Sequence, residues 1–352
     1  MGLDELREGI GRIDAEIVGL IAERTELAKK VGEIKRERNL PIRNESVERK
    51  VVSRYVEAGM QAGLSREAME NVARALIKEA VEVESRVPSG RVGKKIAIIG
   101  GAGKMGVWTA DFLSDSGHEV IAIDPALDNG LSIEDCAGCD AVIISVPIHS
   151  VAGILGQLKG ICSPDTLIFD LASLKTPAEP ALREMAKSMK VCSVHPMFGP
   201  SATSMYGRNL IVCDCGNREA AEEAADLFSD SGGNIRVMGL SEHDSYMSYV
   251  LGLTHAVNIA LFTVLQRSGY SFEDLRTVSS TTFNKGLDTN MSVASEDPML
   301  YYEIQHMNSH REEMWSLFAG AVEDLRECSL SDDPSGFVSL MDAGREYFYG
   351  KR

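Results

Sequence analysis

An apolar run, Lys95-Ile96-Ala97-Ile98-Ile99, leads into Gly100-Gly101-Ala102-Gly103-Lys104-Met105-Gly106. The Gly-x-Gly-x-x-Gly within it constrains this chain more than any other feature. Strand, tight turn and helix follow from that order. The glycines remove side chains where backbone and a pyrophosphate must approach closely, and the helix N-terminus receives the negative charge. Gly101, Gly103, Lys104, Met105 and Gly106 are therefore candidate cofactor contacts. Asp124, 23 residues after Gly101, ends the next β-branched run. An acid there hydrogen-bonds ribose hydroxyls and repels a 2′-phosphate, so NAD is expected over NADP. Ser145 and Pro147 close another strand at its carboxyl end, where such sheets bind ligands. The motif starts almost a hundred residues into the chain, so a separate module is expected ahead of it.

That module reads as three helices. Leu3, Leu6, Ile10, Ile13, Ile17, Leu20, Ile21, Leu27, Val31 and Ile34 recur at three- and four-residue steps over 3–38, and Pro41 ends the run. A second helix is predicted over 45–61. Ser65 is a candidate N-cap for a third, ending near 86. Three helices of this size enclose too little core for an isolated monomer, so pairing with a second copy is expected. Beyond Pro88-Ser89-Gly90, β-branched runs at 95–100, 119–124, 141–146, 166–170, 190–194 and 209–213 alternate with helical stretches, which implies a mainly parallel, doubly wound sheet. After about Ser241 the pattern is helical. The expected architecture is multidomain: an all-α module (1–88), a linker (89–94), a Rossmann-type α/β domain (95–240) and an all-α C-terminal domain (241–352).

The net charge of −16 comes entirely from residues after 91, because residues 1–91 carry 17 basic and 17 acidic side chains. So acidic a body argues against nucleic acid as partner, since that affinity rests on neutralising phosphates. No apolar run approaches the roughly 20 residues of a membrane helix, and Met1–Arg12 does not read as a signal peptide. Seven scattered cysteines fit reduced thiols and a cytoplasmic location. Cys136-x-x-Cys139 lacks a matching second pair, and His306 and His310 lack a third ligand, so no metal is expected.

His195-Pro196-Met197-Phe198-Gly199-Pro200 follows one predicted strand, and Asp170-Leu171-Ala172-Ser173-Leu174-Lys175 follows the strand before it. Both loops fall at the carboxyl edge. A histidine there can accept a hydroxyl proton while hydride leaves the same carbon, and Ser173 can share its hydrogen bonds. These two motifs, with Ser145-Val146-Pro147-Ile148-His149, Glu242-His243-Asp244, His255 and Asp297-Pro298 with Tyr301, resemble prephenate dehydrogenase. The resemblance implies oxidation of the prephenate C4 hydroxyl with NAD, then loss of the ring carboxylate as CO2 to give 4-hydroxyphenylpyruvate. By resemblance His195 is the catalytic hydrogen-bonding group, Ser173 supports it, and His255 and His243 lie in the substrate pocket. Ser292 stands where the family places an arginine for the ring carboxylate. Lys285 or Arg311 is the candidate replacement, and arogenate stays open as an alternative substrate.

Leu6-Arg7, Ile13-Asp14, Ala22-Glu23-Arg24, Leu27-Ala28, Lys35 and Pro41-Ile42-Arg43 resemble the all-helical chorismate mutases, which some prephenate dehydrogenases carry as a fusion. That enzyme stabilises charge separating across a breaking C–O bond, for which arginines and a lysine are suited. The resemblance implies Arg24 and Lys35 as cations within the site, Arg7 reaching the site of a second subunit, Glu48 as acceptor for the substrate hydroxyl, and Glu84 facing the ether oxygen. Asn44, Val47 and Ala80 depart from the family pattern. The expectation is a homodimer of tyrosine biosynthesis acting on chorismate and prephenate, with tyrosine as a feedback ligand. The alternative keeps the dehydrogenase and makes the helical module a weakly active, regulatory or dimerisation piece.

Overall fold

The structure is a computed structural model that describes residues 2–38, 40–87 and 93–350. Pro88-Ser89-Gly90 and most of the expected linker lie outside the described residues. The chain divides into two compact units, residues 1–173 with 178–239, and residues 174–177 with 240–352.

In the first unit, α1 (Leu3–Glu37), α2 (Glu45–Gln61) and α3 (Arg66–Ser85) form the helical segment. Ser65 caps α3 by accepting from the Ala68 amide, and Asn44 caps α2 by accepting from Ser46 and Val47. Only Ala28 and Gly32 of α1 are buried. Gly32 permits the close helix approach, since a Cβ there would lie 3.0 Å from the Glu84 backbone. The N-terminal apolar stripe stays open, with Leu6, Ile10, Ile13 and Ile17 at 45–59% exposure.

The sheet comprises β1 (Lys95–Ile99), β2 (Glu119–Ile123), β3 (Ala141–Ile144), β4 (Leu167–Asp170), β5 (Val191–Pro196), β6 (Asn209–Asp214) and β7 (Asn234–Gly239) in the order β2-β1-β3-β4-β5-β6-β7. The first five strands are parallel; β6 runs antiparallel to β5, and β7 parallel to β6. Strand β7 was not anticipated, because its residues are mostly exposed and carry no clean apolar run. Helices α4 (Lys104–Asp115), α5 (Val151–Leu158), α6 (Glu179–Met185) and α7 (Arg218–Phe228) complete the α/β pattern. The fully buried runs of β1, β3 and β4 are those of strands covered on both faces.

The second unit is helical: α8 (Leu240–Met247), a π-helical turn (Ser248–Leu253), α9 (Thr254–Arg267), α10 (Phe272–Thr277), α11 (Thr281–Ala294), α12 (Pro298–Met307), α13 (Arg311–Leu330) and α14 (Ser335–Tyr349). Leu240–Arg267 is one continuous helical stretch, with mean hydropathy 1.6 in its most apolar window, and is long and apolar enough to cross a membrane. This corrects the sequence expectation. His243, Asp244, Ser248, His255 and Asn258 interrupt every apolar run, which hid its length. The buried His243–Asp244 pair on it marks a helix engaged with protein, and length and hydropathy of this kind also occur in core and interface helices.

Candidate active sites

The glycine loop lies between β1 and β3, where the chain switches from building one side of the sheet to the other. Gly100 adopts φ +82°, and a Cβ on it would meet the Ser145 carbonyl at 2.1 Å. On Gly101 a Cβ would approach Ala122 to 2.6 Å, and on Gly106 it would approach the Gly100 carbonyl to 2.2 Å. Gly103 caps α4 with no side chain, which leaves the first-turn amides of Lys104, Met105 and Gly106 facing the loop. Asp124 is braced at the same place: its Oδ2 accepts from the Ala102 amide at 3.2 Å and its Oδ1 from the Ala126 amide at 2.9 Å. Ser145 continues β3 by donating its amide to Ile99 at 2.8 Å, and Pro147 follows it. This cradle fits a dinucleotide.

Asp170 organises the neighbouring edge. Its Oδ1 accepts from the Ala172 amide at 2.9 Å, fixing the turn that delivers Ser173, and its Oδ2 accepts from the Ser193 hydroxyl at 2.5 Å. Ser193 and His195 share one face of β5, so one buried carboxylate fixes the strand bearing His195 and the turn bearing Ser173. His195 is 4% exposed. The loop after it is anchored on α4: Phe198 packs edge-on to Trp108, and Trp108 donates to the Ala202 carbonyl at 2.7 Å. Asp170 had been read only as part of a motif; its two-residue offset from Ala172, typical of an Asx turn, was the available signal.

In the second unit, Asp244 holds the segment 174–177. It accepts from the Lys175 amide at 3.0 Å, and from the amide and hydroxyl of Thr176 at 2.6 and 2.5 Å. Burial alone would raise this carboxyl, but hydrogen bonds from His243 and Thr176 prevail and hold it below the usual carboxylate range. His243, expected in the substrate pocket, is fully buried with Nδ1 2.7 Å from Asp244. Its geometry is that of a support for the 174–177 segment. His255 stacks on Tyr301 with centroids 4.0 Å apart. Its Nδ1 has no hydrogen-bond partner among the described residues, and burial lowers its pKa to about 4. Lys285 is exposed on α11. Arg311 donates to the Asn308 carbonyl at 3.3 Å.

In the helical segment, Lys35 Nζ donates to the Ile42 carbonyl and to Glu84 Oε2, both at 2.5 Å, and Arg24 donates to the Leu76 carbonyl at 2.6 Å. Glu48 is bound by Arg43 Nε at 2.9 Å and by the Tyr206 hydroxyl at 3.3 Å. The hydrogen bond with Glu48 raises the Arg43 pKa. A cavity of about 570 Å3 between α2 and α3 is lined by Arg43, Glu48, Arg74, Ile77 and Tyr206 among others, but not by Arg24, Lys35 or Glu84. Arg24 and the Lys35–Glu84 pair bond at separate positions along the α1–α3 contact, and Glu48 is held with Arg43 at the cavity wall. Arg7 is exposed and pairs with Asp4 at 3.5 Å. Tyr206 was missed: it carries no motif and lies 158 residues from its partner.

Among the described residues no cluster of three His, Cys, Asp or Glu is gathered as for a metal. Burial pushes the thiols of Cys136 and Cys162 up to about 12 and about 11, so both stay protonated at neutral pH.

Comparison with known proteins accounts for each part of the chain in turn. Residues 6–85 match the family described as chorismate mutase type II, residues 111–237 the nucleotide-binding domain of prephenate dehydrogenase, and residues 240–343 its dimerization domain. The glycine loop precedes the second match, so its assignment rests on the geometry above. The chain is similar to the T-protein of Haemophilus influenzae, 28% identical over 352 residues that span 98% of this chain and 92% of that protein. Its fold is like that of the prephenate dehydrogenase from A. aeolicus solved with hydroxyphenyl propionate and NAD+, at TM-score 0.59 and 21% identity over 73% of this chain and 98% of that one. It is equally like Synechocystis arogenate dehydrogenase, at TM-score 0.57 and 19% identity over 72% and 98%.

Proposed function

Because the chain belongs to the family in which a type II chorismate mutase precedes a prephenate dehydrogenase, we infer that it carries out two successive steps of tyrosine biosynthesis. It rearranges chorismate to prephenate, then oxidatively decarboxylates prephenate to 4-hydroxyphenylpyruvate. The observation that carries this reading is the order of the three matches along one chain, joined to the carboxyl-edge placement of Ser173 and His195.

The cofactor of the second step is NAD. The Gly101–Gly106 cradle takes its pyrophosphate, and the Asp124 carboxylate takes the ribose hydroxyls and disfavours a 2′-phosphate. Bound NAD supplies the hydride acceptor. His195 accepts the proton of the C4 hydroxyl as hydride leaves that carbon, and Ser173 orients the hydroxyl. The ring carboxylate then departs as CO2, and its bonding pair completes the aromatic ring. His255 offers a neutral imidazole as the candidate substrate contact of the C-terminal unit, and Lys285 is the candidate cation for the ring carboxylate.

In the first step Arg24 and Lys35, with Arg7 from a second subunit, hold the dianion and stabilise the separating charge. Glu48 accepts from the substrate hydroxyl. Glu84 faces the ether oxygen and donates to it only when protonated. The exposed stripe of α1 and the match of the C-terminal helices to a dimerization domain support a homodimer, and seven free cysteines support a reducing, cytoplasmic setting.

The test supplies chorismate, prephenate and arogenate separately with NAD and follows NADH. Turnover of chorismate and prephenate is expected. Turnover of arogenate in place of prephenate would reassign the substrate, and turnover of prephenate without chorismate would remove the mutase.

A further inference from the structure

The Glu48 carboxylate is held from two sides, by Arg43 of its own helical segment and by Tyr206 from outside it. Arg43 forks onto both oxygens, at 2.9 Å to Oε1 and 3.4 Å to Oε2, and Tyr206 donates its hydroxyl to Oε2 at 3.3 Å. Tyr206 belongs to the loop between β5 and β6, eleven residues after His195. Its ring lies under the Arg43 guanidinium at 5.3 Å and packs on the cluster formed by Ile42, Ile77 and Val81. That cluster adjoins the other mutase groups: Ile42 offers its carbonyl to Lys35, and Val81 lies one helical turn before Glu84. The phenol thus presents a six-membered ring to this apolar bed and a hydroxyl to Glu48, the features a hydroxylated cyclohexadiene would present.

The loop is held in this pose by several bonds. Ser204 donates to Glu82 at 2.6 Å and the Gly207 amide donates to the Gly232 carbonyl at 3.1 Å, while Arg43, beside the loop, donates to Asn234 of β7 at 2.6 Å.

We propose that Tyr206, supplied by the nucleotide-binding domain, is a substrate-binding determinant of the mutase site: its hydroxyl holds the Glu48 position that the substrate hydroxyl must take. This rests on the reading of residues 6–85 as a mutase with Glu48 as hydroxyl acceptor. Binding of chorismate then costs the Tyr206–Glu48 hydrogen bond, and that cost falls on KM, because the bond is already broken in the complex from which rearrangement starts.

Tyr206→Phe keeps the ring, its packing and its contact with Arg43, and removes only the hydroxyl. The full-length variant is expected to show a mutase KM for chorismate lower by about 2- to 10-fold, the worth of one long hydrogen bond to a charged acceptor. Its mutase kcat and its KM for prephenate should match those of the parent. An unchanged or raised KM for chorismate, or a lowered mutase kcat, overturns the proposal. A parent chain that does not turn over chorismate overturns the mutase reading and this proposal with it, so the two failures are distinguishable.

Discussion

Asp244 and Thr176 are joined by two hydrogen bonds to a single carboxylate oxygen, at 2.6 Å from the amide and 2.5 Å from the hydroxyl, although 68 residues separate them. Segment 174–177 is thereby drawn into the C-terminal helical unit, and Ser173 is the residue immediately before it. The segment that follows Ser173 in the chain is therefore fixed by the buried Asp244 carboxylate.

Asp244→Asn places an amide where four donors converge on a carboxylate. Loss of charge-assisted bonds of this kind costs about 1.5–3 kcal/mol each. The variant is expected to lose thermal stability and to lose dehydrogenase kcat by at least about tenfold, while the mutase rate is retained. Circular dichroism melts and the two separate assays read this, and an unaltered dehydrogenase kcat would show that Ser173 is positioned without the segment.

Lys35 and Glu84 lie in contact at 2.5 Å, with the carboxylate accepting. Facing an ether oxygen, that carboxylate can donate only when it carries a proton, whereas a glutamine donates at every pH. Glu84→Gln is therefore expected to keep or raise the mutase rate, because the amide can donate where the paired carboxylate only accepts. Loss of mutase activity in that variant would exclude a donor role for Glu84 at the ether oxygen.

His255 is buried, and its pKa is lowered from 6.5 to about 4 by that burial. The folded state binds the proton less well than the unfolded one. The stability held by neutral His255 is thus fully present above pH 6.5 and is lost as pH falls toward 4, by up to about 3 kcal/mol. His255→Phe is expected to melt with a shallower acid dependence over pH 6.5–4 than the parent. Equal slopes would mean that His255 is solvated.

The nucleotide cradle was legible because close approach between backbones demands glycine at fixed positions, and Gly100, Gly101 and Gly106 leave no space for a Cβ. The helices α1–α3 were legible from apolar periodicity and, for α3, from the cap at Ser65, whereas the Asn44 cap of α2 was not read from the sequence. Contacts that depend on long-range packing were not. Tyr206 reaches Glu48 through a loop with no periodic signal, and Asp244 reaches Thr176 through the packing of two distant segments. His243 has the residue type of a pocket contact, and only its complete burial against Asp244 shows it as a support. Strand β7 escaped because its paired backbone, not its side chains, holds it on the edge beside β6.

The central claim is that one chain performs both steps, with His195 serving only the second. The most direct measurement follows chorismate, prephenate and NADH together in full-length parent and His195→Asn enzymes given chorismate and NAD. The parent should consume chorismate and produce NADH. The variant should consume chorismate at the parental rate, accumulate prephenate, and form NADH slower by about 100- to 10,000-fold. NADH formation at the parental rate in the variant, or failure of either enzyme to consume chorismate, would contradict the account.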